Sequence, residues 1–467
     1  MTDRSGQEPL RARPPQRGRG TQRARQVRSL ATALLLVAGG AVLGWGLPRV
    51  ERHLPKVGLS FDASTAQATL AAIAGSMITL AGFVVTAITL VIQTVQAMSP
   101  RLVAALGHFS RYLVLFGMLV GTALYALVTL SQVGGDRVPR ISVTLAVLLV
   151  LFDAVAVLYL LSSLRNAVTG GGLSRAVGER LRTVIDQTYP AAAATPPSGP
   201  APAGPFAADL PPRTDGAAVL HPGRPGVVYR VDEPRLTRLA ARQDVRVRLV
   251  RAVGDFVATG AVVARVEAPS GAADPRLLRK VARCMRFGPS RTVEQDCAYG
   301  FRLLADIAVR ALSPAVNDPT TAVQAMDQIE DGLIRLAGRP LGPAWLVDAD
   351  GRPRVSFPAP RWSDLVSLAL DEILLYGTSN PQVVRRLRAL LARVLAAAPP
   401  RRRPPVAERA AALDRLTAAA FPDVLLHDVA SRPDAQGLGG SSAGEAGPSA
   451  PPRSPGPPAD DAGPGPG

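Results

Sequence analysis

Asp153 is the one charged side chain inside a long apolar run, Ile141 to Leu164. An ionised carboxylate near the middle of a bilayer costs at least about a few kcal/mol, so such a group is neutral and hydrogen-bonded, or lines water. A neutral acid joining helices and an acid on an ion or proton path both fit its position. Thr86 and Thr89, in another apolar run, are its expected partners.

Those threonines belong to a longer pattern. Ala72, Gly75, Thr79, Gly82, Thr86, Thr89, Gln93 and Gln96 follow one another at gaps of three and four residues, which places them on one stripe of one helix. Leu70 to Ile92 between them holds no charge and is long enough to cross a bilayer, which takes roughly 20 residues. Lipid offers hydroxyls and amides no partner, so this seam is expected to face protein or water. Helix packing explains small residues at this spacing, and so does a pore. With so few spans, a pore needs several copies of the chain, so a homo-oligomer that conducts or transports a small ion is one expectation.

A third constellation is Asn317-Asp318-Pro319-Thr320-Thr321. Asp318 has the place of an N-cap and Pro319 that of the first helical residue, which needs no ligand. The same corner puts Asn317, Thr320 and Thr321 at a helix amino terminus, where backbone N–H groups can hold an anion. Arg291, with Arg283 and Arg286, would add positive charge if the fold brings them in. Glu294 and Asp296 fit the acidic first turn of a helix, pairing with those arginines.

Other chemistry is thin. The four histidines, His53, His108, His221 and His427, lie apart from one another and from the cysteines, Cys284 and Cys297. No zinc spacing or phosphate-binding loop occurs. No cofactor, no metal and no enzyme activity are expected. The two thiols read as ordinary buried cysteines of a reducing compartment.

The elements that must position these residues follow from hydropathy. Apolar runs at Leu30–Leu47, Leu70–Met98, Tyr112–Val133 and Ile141–Leu164 predict four transmembrane helices. The third carries Gly117, Gly121, Tyr125 and Thr129 at intervals of four, the spacing that lets helix backbones approach closely. Fourteen arginines and lysines flank one side of the spans and five the other, which predicts both termini in the cytoplasm of a bacterial inner membrane. The net charge is +17, and all but two of the 53 basic residues are arginine. That bias accompanies GC-rich genomes, and much of the charge lies beside spans, so anionic lipid is the expected partner and nucleic acid is not.

The fold class expected is a membrane all-α domain plus a cytoplasmic α+β domain, a small β module followed by a helical bundle. A disordered basic arm, 1–28, precedes the membrane domain, 29–165. A cytoplasmic helix, 166–189, and a Pro/Ala-rich linker, 190–216, lead to the β module, 217–268. The helical domain spans 269–425 and a disordered tail 426–467. Strands are predicted at Gly226–Val231, Val245–Ala252 and Ala261–Glu267, with a short helix at Glu233–Arg242. Helices are predicted at Leu277–Met285, from a capping box at Thr292, and from Asp318 to Gly338.

Three stretches together resemble a known family: Ser76-Met-Ile-Thr-Leu-Ala-Gly-Phe-Val-Val-Thr-Ala-Ile-Thr-Leu-Val with Ser99-Pro-Arg-Leu102; Val253-Gly-Asp-Phe-Val-x-x-Gly260; and Arg291-Thr-x-Glu-Gln-Asp296 followed by Ala311-Leu-Ser-Pro-x-x-Asn-Asp-Pro-Thr-Thr-Ala322. The chain is similar over about residues 65–425 to the bacterial predicted membrane proteins called DUF2254. The resemblance implies a membrane topology and supplies no reaction. The Val253–Gly260 stretch also resembles a hairpin of biotinyl or lipoyl carriers, but no lysine lies between Lys56 and Lys280 to carry such a group. The function expected is a cytoplasmic binding or sensor domain coupled to an oligomeric, channel- or transport-like membrane domain. A non-conducting scaffold or stress-response protein is the alternative, and a membrane-bound enzyme has least support.

Overall fold

The computed structural model describes residues 22–51, 53, 62–98, 109–134, 138–168, 170–189, 216–269, 271, 273–341, 345–358 and 360–439. The basic arm up to residue 21, the Ser99–Leu102 motif, most of the linker and the tail from 440 lie outside them. So do the side chains of residues 94–98, Gln96 included.

Four helices are long and apolar enough to cross a membrane: α1 (Gln22–Glu51), α2 (Ala63–Met98), α3 (Phe109–Leu130) and α4 (Arg140–Val168). The first begins inside the expected basic arm. Span three is central and packs on the other three. Its Gly117 and Gly121 do what their spacing predicts. A Cβ at Gly117 would lie 2.6 Å from the Ala33 Cα, one at Gly121 would lie 2.6 Å from the Leu36 carbonyl oxygen, and one at Gly40 would overlap the Gly121 carbonyl. Backbones this close exchange dispersion contacts that larger residues would prevent.

Polar groups tie the bundle at one end. Glu51, at the end of α1, accepts from the Ile141 N–H at 2.7 Å, the Ser142 N–H at 3.1 Å and the Ser142 hydroxyl at 2.8 Å. A carboxylate from one span thus caps the amino terminus of another, where orphan donors and the helix dipole favour negative charge. The Tyr125 hydroxyl donates to the Ser142 carbonyl at 2.9 Å, and the Gln132 amide to the Gly44 carbonyl at 2.7 Å.

One residue beyond α4, α5 (Gly170–Thr188) leaves the bundle. Its Leu173, Val177, Leu181, Val184 and Ile185 fall on one face and are buried in the helical core. It is therefore part of that core, packed on α8 (Cys297–Ala311) and α9 (Pro319–Ala337).

The β region comprises β1 (Ala217–Leu220), β2 (Gly226–Val231), α6 (Glu233–Arg242), β3 (Arg246–Leu249), β4 (Phe256–Val257), β5 (Val262–Glu267), α7 (Pro275–Ala282) and β6 (Met285–Gly288). It reaches further along the chain than expected. β6 takes the end of the helix predicted at Leu277–Met285. β7 (Trp345–Val347) and β8 (Pro353–Ser356) come from between helices of the bundle. The larger sheet runs β1-β5-β3-β8-β7, with β3 and β8 parallel; the smaller runs β4-β2-β6.

Aspartates start the helices. Asp232, Asp274, Asp296 and Asp318 each accept from an N–H of the first turn, and proline follows within two residues at three of them. The capping box read at Thr292 does not form. The helix starts five residues later, because Asp296 takes the N-cap and Gln295 turns away to bond the Val231 N–H and carbonyl.

The bundle is completed by α10 (Trp362–Gly377), α11 (Pro381–Ala397), α12 (Arg403–Ala420) and α13 (Val424–Ser431). The chain is thus ordered beyond 426, where disorder was expected. Buried Asp434 accepts from the N–H groups of Gln436, Gly437 and Gly439, and Arg385 donates to the Arg432 and Gly439 carbonyls, so backbone groups that composition alone leaves unpartnered are satisfied.

Candidate functional site

Two of the motifs, some forty residues apart in sequence, meet in one cleft of about 410 Å³. It is lined by the turn before β4, by the segment entering α8, by the end of α5 and by the segment after β8. Gly254 makes the turn, with φ +99°, a region open to glycine. Its N–H donates to the Val228 carbonyl at 2.8 Å, and the Asp255 carboxylate accepts from the Ala252 N–H at 2.9 Å. Across from it, Arg291 Nε donates to the Gly254 carbonyl at 2.7 Å. Asp296 Oδ1 accepts from the Tyr299 N–H at 3.0 Å, while Oδ2 occupies the space that a Cβ on residue 254 would need.

Asp296 is buried, and burial pushes its carboxyl up to about 6 against the opposing pull of the Tyr299 N–H and the Arg291 guanidinium. Burial also pushes Cys297 up to about 12 and Cys284 up to about 11, so both thiols stay protonated at neutral pH and neither is a thiolate nucleophile. Cys297 Sγ lies 3.8 Å from the Tyr189 hydroxyl. Arg302 on the cleft wall pairs with Asp306 and Glu372, which hold its charge. The Thr188 hydroxyl is buried there without a hydrogen-bond partner among the described residues. The cleft thus offers a carboxyl poised to change its proton near neutrality and a lone hydroxyl, suited to binding a small polar ligand.

The corner at residue 317 is not part of it. Arg291 precedes α8 and Asn317 follows it, so about 22 Å of helix separates them. Asn317 (φ +45°) and Thr320 are exposed, and the Asp318 carboxylate accepts both the Thr321 N–H and its hydroxyl. A helix terminus already occupied by a carboxylate repels an anion, so the capping explanation holds and the anion-binding arrangement with Arg291 does not form. Glu294 pairs with Arg230 instead.

In the membrane region the structure separates what the sequence grouped. Gly75, Thr79, Gly82, Thr86, Thr89 and Gln93 share a stripe, as spaced, but all are exposed on the single chain. The opposite stripe, with Leu70, Ile73, Met77, Ala81 and Val84, is the buried one. The hydroxyls of Thr79, Thr86 and Thr89 donate to the carbonyls of Gly75, Gly82 and Val85 at 3.0, 3.1 and 2.9 Å. Back-bonding within the helix supplies the partner that lipid lacks, which removes the argument that these threonines require protein or water.

Asp153 is fully buried and does not reach that seam. Its polar neighbour is Thr122 on span three, and neither carboxylate oxygen completes a hydrogen bond of ordinary geometry with a described group. Among the described residues no cluster of His, Cys, Asp and Glu could hold a metal ion.

Comparison with known proteins accords with this architecture. Uncharacterised proteins of Mycobacterium bovis and Mycobacterium tuberculosis are each 29% identical over 379 residues, covering 76% of this chain and 70% of the relative. A counterpart from a second Mycobacterium tuberculosis strain is 28% identical over the same length. No solved structure matches. The model of the predicted membrane proteins DUF2254 matches residues 28–393, all four candidate spans and both motifs of the cleft included, and the chain belongs to that family.

Proposed function

We propose that this protein binds a small ligand in the Asp296 cleft and passes the state of that cleft to its membrane spans. One observation carries the reading: α5 starts one residue after the span-four helix and ends at the cleft wall. Its 19 residues form a lever about 28 Å long. Its far end is clamped, since Arg339 donates to the Ile185 carbonyl at 3.2 Å, the Tyr189 carbonyl at 2.7 Å and Asp186 at 2.6 Å. A ligand that moves Thr188 or Tyr189 therefore acts on a rigid element joined to span four.

In this reading the protein sits in a bacterial inner membrane with both termini and the α+β domain in the cytoplasm, as the arginine asymmetry supports. The spans assemble as a homo-oligomer through the outward stripe of α2, with a channel- or transport-like activity in which buried Asp153 takes part. The cleft binds and does not turn over substrate. A second reading, a non-conducting scaffold, is favoured by the internally satisfied threonines of that stripe.

The test uses full-length protein in liposomes, with Thr86→Cys as a reporter and the two native cysteines replaced. Gly254→Ser, which intrudes on Asp296, is expected to change the rate at which a maleimide labels the reporter by at least about threefold. An unchanged rate, in a protein whose melting shows it still folds, defeats the coupling. Ion flux abolished by Asp153→Asn supports transport, and coupling without flux in any ionic condition supports the scaffold.

A further inference from the structure

A second, larger cleft of about 1020 Å³ opens in the β region, between the loop joining β1 to β2 and the face of α7. None of the family motifs falls in it. Arg224, Arg279, Arg283 and Arg286 line it, and no aspartate or glutamate does. All four arginines are exposed, and none forms an ion pair with a described residue. Three arginines elsewhere in this domain are neutralised: Arg230 by Glu294, Arg248 by Glu267, and Arg354 by Asp244 and Asp348. Four like charges around one concavity repel one another, and an anion seated among them relieves that repulsion.

A buried group points the same way. His221 lines the cleft, is 3% exposed, and has its ring held against Phe287 with centroids 4.0 Å apart. Its Nε2 lies 2.8 Å from the Arg224 carbonyl oxygen. A carbonyl only accepts, so Nε2 carries the proton. Nδ1 is then left buried with no hydrogen-bond partner among the described residues. A buried polar atom without a partner costs about 1–3 kcal/mol, which a ligand oxygen at this position would recover.

We propose that this cleft binds a phosphate-bearing anion, held by the four guanidinium groups and by His221 Nδ1. Phosphate suits both parts of the site. Its oxygens take bidentate, charge-assisted bonds from guanidinium. A protonated phosphate oxygen donates to Nδ1, and if the ring takes up that proton it donates back, so either placement makes the same bond. The cleft has room for more than one phosphate group. Two sources present this chemistry, a soluble phosphorylated molecule and the headgroup of an anionic phospholipid.

The experiment uses the full chain in nanodiscs and inorganic pyrophosphate as the probe, followed by calorimetry. In zwitterionic lipid, pyrophosphate is expected to bind, and Arg279→Ala with Arg283→Ala to weaken it at least tenfold. Arg276→Ala with Lys280→Ala removes the same charge from the same helix outside the cleft, and is expected to change affinity less than twofold. His221→Phe is expected to weaken binding with the melting temperature retained. Pyrophosphate displaced when phosphatidylglycerol replaces the zwitterionic lipid identifies a headgroup ligand; undiminished binding identifies a soluble one. Absence of pyrophosphate binding in zwitterionic lipid, or equal losses from the two paired variants, overturns the proposal.

Discussion

Gly254 and Asp296 occupy one another's space: the carboxylate Oδ2 sits where a side chain on residue 254 would begin. The glycine is held at φ +99°, and Arg291 grips its carbonyl from the other side. Gly254→Ala is therefore expected to destabilise the protein by about 2–3 kcal/mol, from left-handed backbone strain and from displacement of the carboxylate. Asp296→Gly removes the obstruction. Thermal melting of both single variants and the double variant in detergent should give a coupling of at least about 1 kcal/mol. Additive losses would show that the two residues do not share that space.

The Asp296 carboxyl also predicts a pH dependence. Its folded value is raised to about 6 by burial, above the ordinary value of 3.8. The folded chain thus binds this proton more tightly than the unfolded one. The associated stability is full below about pH 4 and is lost as pH rises through 6. The difference is on the order of 2–3 kcal/mol. Asp348, Asp371, Glu372 and Asp434 are shifted down by their arginine and backbone partners, and their contributions are lost at pH values below this window. Asp296→Asn keeps an oxygen for the Tyr299 N–H without the charge. Its melting temperature is expected to be flatter than that of the native protein from pH 4.5 to 7, and parallel curves would refute the assignment.

Glu51 and Ser142 give a third prediction, located in the membrane domain. Glu51→Ala leaves the Ile141 and Ser142 N–H groups at the start of α4 without their acceptor, and is expected to cost about 1–2 kcal/mol. Glu51→Gln retains one acceptor oxygen and should lose about half as much. Melting of the purified protein distinguishes the two. Equal losses would mean that the charge, and not the hydrogen bonds, does the capping.

Local signals were legible in the chain where local physics decides the outcome. Asp318 caps its helix at the position its proline neighbour indicates, Glu233–Arg242 is a helix and Gly226–Val231 a strand at the residues predicted. Trp345–Val347 and Pro353–Ser356 were illegible because they are only three and four residues long, proline begins the second, and the hairpin they form joins the sheet only through β3, about a hundred residues away. The cleft was hidden for a related reason. Asp296 reads as an acidic first turn until Gly254 is seen against it, and no spacing rule connects them. The spacing of the threonine seam does not decide what it faces, because a helical threonine can bond its own preceding turn. The arginines of the phosphate cleft are camouflaged by a chain in which nearly every cation is arginine.

Gly121 and Gly82 separate packing within the chain from packing between chains. Residue 121 lies against the backbone of Leu36, so Gly121→Val forces spans one and three apart, and is expected to cost about 2–3 kcal/mol. A Cβ added at Gly82 would meet nothing within 4 Å, so Gly82→Val is expected to leave the melting of an isolated chain unchanged within about 0.5 kcal/mol. If a second copy packs on the α2 stripe, the added methyl groups fall in that interface, and the mass of the detergent-solubilised particle measured by light scattering should drop to that of one chain. A native particle already containing one chain, or a Gly82→Val particle of undiminished mass, would turn the stripe toward lipid, where its back-bonded threonines are at no disadvantage.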